Sequence, residues 1–161
     1  MANSSKRANY APRISNRRAL HDFFIEGKLE CGIVLTGTEV KSLRDGKANL
    51  RDSYAEIRKG QLYLVGVHIS PYEQGNLANH DPLRPRKLLL HKGEIDRIAI
   101  KVREKGYTIV PTRIYFKGSL AKIEIGLARG KRQYDKRVDL AKKDAARDVE
   151  RVLRGRERGE A

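Results

Sequence analysis

The chain has 161 residues, 34% of them charged, and its 35 Lys and Arg against 20 Asp and Glu leave a formal charge of +15. That length suits one folded domain. A single cysteine, Cys31, and scattered histidines (His21, His68, His80, His91) exclude an internal disulfide scaffold, offer no zinc-ligand spacing and call for no cofactor.

No run approaches the roughly 18 apolar residues that cross a bilayer, and Met1 to Leu20 holds no apolar run of signal-peptide length. A soluble, cytoplasmic chain with no membrane partner is expected. The Arg- and Ser-containing start is a competing match to a transit peptide, although it lacks the apolar stripe of one. The charge divides as +5 on Met1 to Leu20, +5 on His21 to Gly126 and +5 on Leu127 to Ala161. Of the Leu, Ile, Val and Phe residues, 34 lie between Leu20 and Leu127 and 6 elsewhere, so only the middle can bury a core. The organisation expected is a flexible basic N-terminus (1–14), a folded domain (15–130) and a basic tail (131–161). Such a surplus points to a polyanion, and nucleic acid is the usual one.

In chain order, Ser15 reads as an N-cap before a short helix over Asn16 to Asp22, feeding a strand at Phe23-Phe24-Ile25. Ile33-Val34-Leu35 is β-prone, Gly37 breaks it, and Thr38 reads as the cap of a helical turn from Glu39 to Arg44 ending at Asp45-Gly46. Ser53 to Arg58 and Leu62 to Ile69 flank Lys59-Gly60 as a hairpin. Ser70 to Lys87, with Pro71, Pro82 and Pro85, reads as a long loop. Ile95, Ile98, Ala99 and Val102 predict a helix over Lys92 to Lys105, capped by Gly106. Tyr107 to Phe116 and Leu120 to Leu127 form a second hairpin, with Ala121, Ile123, Ile125 and Leu127 on one face and Lys122 and Glu124 on the other. Five or six short strands with one helix before the last hairpin predict a mainly β fold, an OB-like closed antiparallel barrel with flanking short helices.

No GxGxxG, GxxxxGK[ST], HExxH or GxSxG is present, so an enzyme is not expected, nor a small-molecule substrate. The basic clusters carry the signal. Arg17 and Arg18 lie in an acid-free start, and Arg84-Pro85-Arg86-Lys87 is stiffened by proline. Arg129-Gly130-Lys131-Arg132-Gln133-Tyr134-Asp135-Lys136-Arg137 mixes cations for phosphates with a ring that can stack on a base. Val138, Ala141, Ala145, Val149 and Val152 then give a narrow, small-residue stripe, too weak for a stable isolated helix. This tail is expected to be disordered alone and helical on its partner.

The blocks Asn16-Arg17-Arg18-Ala19, Leu35-Thr36-Gly37-Thr38-Glu39-Val40-Lys41-Ser42-Leu43-Arg44, Asp52-Ser53-Tyr54, Arg86-Lys87-Leu88-Leu89-Leu90, Ile125-Gly126-Leu127-Ala128-Arg129-Gly130-Lys131 and Asp135-Lys136-Arg137 resemble, in order and spacing, the SsrA-binding protein (SmpB) family. The resemblance implies a bacterial adaptor of trans-translation, a monomer in complex with RNA. Its OB-type barrel would bind the tRNA-like domain of tmRNA, and its tail would occupy the decoding centre and empty mRNA channel of the small ribosomal subunit. On the family's pattern Glu30, Leu89 and Lys122 match barrel positions for tmRNA, and Gly130, Lys131, Asp135, Lys136 and Arg137 match the tail motif, with Tyr134 at a ring-bearing position. Taken alone, a leucine within Leu88-Leu89-Leu90 reads as core, and a carboxylate such as Glu30 repels phosphate unless it accepts from a base edge or holds a cation. The alternatives are a generic OB-fold RNA-binding or ribosomal protein, and an RNA-processing enzyme.

Overall fold

A computed structural model describes residues 12–104, 107–131 and 133–159. Residues 1–11, most of the stretch expected to be flexible, and the expected cap Gly106 lie outside them. The chain divides between Arg129 and Gly130 into two compact units.

In the first unit, Ile14–Ser15 (β1) leads into helix α1, Arg17–Asp22. Its N-cap is Asn16 rather than the expected Ser15, because β1 takes up Ser15 opposite Arg113 while the Asn16 side chain accepts from the Ala19 amide at 3.2 Å. The expected short strand at Phe23 is the start of an eleven-residue strand, β2, Phe23–Ile33. Its charged residues Glu26, Lys28 and Glu30 alternate with the more enclosed Ile25, Leu29 and Cys31, a period of two that hides the continuity from a search for apolar runs. Helix α2, Gly37–Arg44, starts two residues earlier than expected, capped by Thr36 rather than Thr38; the Thr36 amide donates to Glu39 Oε1 at 2.9 Å in the T-x-x-E spacing of a capping box.

Ala48–Asn49 (β3) pairs with His68–Ile69 (β6) in a two-stranded sheet not foreseen from the sequence. Tyr54–Arg58 (β4) and Gln61–Val65 (β5) form the expected hairpin, turning at Lys59 (φ 50°) and Gly60 (φ 74°). The run expected to reach Ile69 is cut at Gly66, whose φ of 82° would strain any side chain and where a Cβ would crowd the Asp52 carbonyl oxygen at 3.2 Å. The long loop is ordered: a 3₁₀ turn spans Asn76–Ala78, and the Asn79 side chain bonds the Tyr72 amide and carbonyl at 2.8 Å each. It ends earlier than expected, since Arg86 and Lys87 already belong to β7, Arg86–Leu89. Helix α3 is Lys92–Arg103, and β8, Tyr107–Lys117, returns as β9, Leu120–Gly130, with a register shift near Pro111.

Hydrogen bonding links β8, β4, β5, β7, β2 and β9 in that order, and β9 pairs back onto β8, so the sheet closes into a ring with β1 attached to β8. Inside it Leu62, Leu64, Ile114 and Ile123 are at most 1% exposed, with Leu43 of α2 and Ile98 of α3 closing its sides. Each such side chain contributes about 1.5–3 kcal/mol of burial. This mainly β fold with flanking helices is the one expected. Cys31 is in the same core, where burial pushes its thiol up to about 12 and leaves it unreactive. The second unit contains helix α4, Gln133–Gly159, longer than the expected stripe.

Candidate nucleic-acid interface

Alternation along β2 turns Leu29 and Cys31 towards the core and leaves the Glu30 carboxylate outside. Opposite it, the β8–β9 register sets Tyr115 beside Lys122, and Lys117 follows on the same side of β8. Glu30 accepts a hydrogen bond from the Tyr115 hydroxyl and one from Lys117 Nζ at 2.8 Å. The Lys117 hydrogen bond, then that of Tyr115, holds the carboxyl below the usual carboxylate range. Burial and the Glu30 bond push the Tyr115 phenol up to about 12, so at neutral pH it is a fixed donor. Glu30 is thus a strut that fixes two donors, and Lys122, close enough to favour the carboxylate through space, stands on the same depression. That resolves the objection to a carboxylate here, because its charge is matched by Lys117.

Leu89 departs from the core position its surroundings suggest. It is 52% exposed, whereas Leu88 beside it is 1% exposed, because β7 sends successive side chains to opposite faces. It stands across from Gly32, where a Cβ would lie 3.2 Å from the Leu89 side chain, so the glycine makes room for it. Glu30, Gly32, Leu89, Leu90, His91, Glu94 and Lys122 line one open depression of about 380 Å³. The three barrel positions named from the sequence therefore converge on a surface that offers an apolar platform, a cation and fixed hydrogen-bond groups.

The cluster at residues 84–87 does not act as a unit. Arg86 is fully buried, and its guanidinium bonds Glu39, the Val67 carbonyl at 2.7 Å and the Pro82 carbonyl at 3.1 Å. The expectation that it meets phosphate is corrected: a buried charge needs its partners, and all of its nitrogens are engaged within the fold. Arg84, about a third exposed, also donates to Glu39, and Lys87 is half-buried. Burial pushes the Glu39 carboxyl up, but the Thr36 amide and the Arg84 and Arg86 guanidiniums outweigh it and hold the carboxyl at about 2. The 39–84–86 cluster thus ties the loop and the start of β7 to helix α2. Sequence reasoning missed Glu39 because its partners lie 45 and 47 residues away. The only available signal was the Thr36–Glu39 capping-box spacing.

Arg17 and Arg18 are exposed on α1 and, with Ser15, Asn16, Asn49 and Arg51, line a separate depression of about 320 Å³. Its shape depends on Asn16, a second residue that sequence reading missed. The Asn16 side chain is buried and donates to the carbonyls of Leu50 at 3.2 Å and Pro111 at 2.9 Å. In the tail, Gly130 ends β9, Lys131 follows it, and Arg132 lies outside the described residues. Tyr134, Asp135, Lys136 and Arg137 fall in the first turns of α4. Farther along, Val149, Val152 and Leu153 are each more than half exposed. Among the described residues no group of His, Cys, Asp or Glu is arranged to hold a metal, and no helix is long and apolar enough to cross a membrane.

The family model for the SmpB protein matches residues 13–155. The chain belongs to this family. Among SmpB relatives, the SsrA-binding protein of Carboxydothermus hydrogenoformans is 62% identical over 141 residues, covering 88% of this chain and 95% of that one. The SsrA-binding protein of Geobacter sulfurreducens is 60% identical over 140 residues, with 87% and 92% covered, and that of Desulfitobacterium hafniense is 57% identical over 144 residues, with 89% and 92% covered. Among solved structures, an SmpB chain described under "tmRNA-SmpB: a journey to the center of the bacterial ribosome" superposes with a TM-score of 0.65 at 52% identity, covering 79% of this chain and 93% of that one.

Proposed function

We propose that this chain is a non-catalytic adaptor of trans-translation, working in the cytoplasm as a monomer with RNA, which binds the tRNA-like domain of tmRNA and delivers it to stalled ribosomes. One observation supports the barrel's part most directly: Glu30, Leu89 and Lys122, which come from three different strands, line one depression. Lys122 would neutralise a phosphate, Leu89 would pack on a base, and Glu30 would act by holding Lys117 and the Tyr115 hydroxyl in place for the RNA. Arg17 and Arg18, on their own depression, and Arg84 and Lys87 would add further phosphate contacts, with Arg86 excluded by its burial.

The tail, with Lys131, Arg132, Tyr134, Lys136 and Arg137, would occupy the decoding centre and the empty mRNA channel. Helix α4 is then its bound conformation. The exposed Val149, Val152 and Leu153 give little reason for it to persist without a partner. The test is to recover RNA bound to tagged full-length protein from cells. One dominant species, tmRNA, is expected; a broad mixture of RNAs would make it a general RNA binder, and metal-dependent cleavage of labelled tmRNA would make it an enzyme.

A further inference from the structure

Beside the Glu30–Leu89–Lys122 depression lies a second feature of different character. Helix α3 packs on β8 and, with β2 and β9, lines an open groove of about 380 Å³ floored by Leu29, Ile98 and Leu127, with the 60%-exposed Ile100 at its edge. It continues inward over Gly126 towards Ile109 and Ile125. That volume is in the range of small-ligand clefts, and its floor is apolar. Arg97 and Lys101, one turn apart on α3, stand at its rim, and neither forms an ion pair among the described residues. Glu94 lines both this groove and the Glu30–Leu89–Lys122 depression, so the two surfaces are continuous. Its carboxylate accepts from the His91 amide at 3.3 Å, as an N-terminal helix cap.

We infer that this groove takes one unstacked nucleotide of the same RNA, its base against Ile100 and Leu127 and its flanking phosphates on Arg97 and Lys101. The inference rests on the reading of the neighbouring depression as an RNA surface. A nucleotide is the ligand that joins an apolar base face to an anionic backbone, the two features that this floor and rim complement. An apolar peptide would leave both cations unanswered. A second copy of this chain, itself at +15, would bring like charge onto them.

The test measures the affinity of the full chain for the transcribed tRNA-like domain of tmRNA by fluorescence anisotropy across a salt series. Ile100→Ser, at an exposed helical position, should weaken binding about tenfold without changing the salt slope, which is the loss of one apolar packing contact with a base. Ile100→Phe should bind at least as tightly as wild type. Arg97→Ala with Lys101→Ala should make the slope shallower by roughly 1.5 to 2 units. If Ile100→Ser stays within twofold of wild type while Lys122→Ala binds more weakly, the groove is unused and the inference falls, though the RNA surface beside it stands. If wild type does not bind this RNA, that surface falls and takes the inference with it. A wild-type dimer in sedimentation equilibrium that Ile100→Ser dissociates would overturn the inference in favour of self-association.

Discussion

Replacing Glu39 with Gln should unlock the strand that presents Leu89. The Glu39 carboxylate is fully buried between Arg84 and the wholly buried Arg86, which lies three residues before Leu89 on β7. Removing the charge strands a buried guanidinium, and breaking such a pair costs about 3–5 kcal/mol. The pH dependence gives an independent magnitude. The folded-state value of about 2 lies below the ordinary 4.5, so the carboxyl contributes stability above pH 4.5 and loses it as pH falls towards 2. A shift of that size is worth about 3 kcal/mol, of which about 2 are gone by pH 3. Urea unfolding of wild type and Glu39→Gln at pH 7 and pH 3 reads both quantities. Glu39→Gln should be several kcal/mol less stable at pH 7, and the gap should narrow by about 2 kcal/mol at pH 3. A loss below about 1 kcal/mol at pH 7, or a gap that does not narrow, would refute the reasoning and make the cluster an ordinary surface pairing.

Three further outcomes follow from the same geometry. Lys122→Ala should weaken binding to the tRNA-like domain and lower the salt slope by about one unit; an unchanged slope would place that amine away from phosphate. Leu89→Ala should weaken RNA binding at nearly unchanged stability, whereas Leu88→Ala should cost about 2–5 kcal/mol of stability; equal costs in urea unfolding would mean that Leu89 serves the core. Hydrogen exchange on the free protein should show little backbone protection from 138 to 153; strong protection would mean that α4 is stable without RNA.

Much of this was legible where one local rule decides the outcome. The 59–60 turn, the 3.6-residue spacing of Ile95, Ile98 and Val102, and the alternation from Ala121 to Leu127 each fixed an element without reference to anything distant. What escaped was set by partners far apart in sequence. A run of three leucines carries no phase of its own, so Leu88 and Leu89 could not be told apart until the pairing with Ile33 and Gly32 assigned their faces. Arg86 looked like a surface cation because nothing local announces a carboxylate 47 residues earlier. The long loop looked irregular because its order comes from side chains that reach back to other segments, Asn79 to Tyr72, His80 to Ile69 and Arg84 to Glu39. For Glu30 composition pointed the wrong way, and only the family resemblance marked it. The structure supplies the reason, a carboxylate whose role is to hold Lys117 and Tyr115.

The most direct test of two separate surfaces is to end the chain after Gly130, at the boundary between its two compact units, and to measure two things on the product. Binding to the tRNA-like domain of tmRNA should survive close to wild type, because the Glu30–Leu89–Lys122 depression is intact, while tagging of nascent chains on stalled ribosomes should be lost. Loss of RNA binding itself, or tagging that persists without the tail, would contradict the division of labour between barrel and tail.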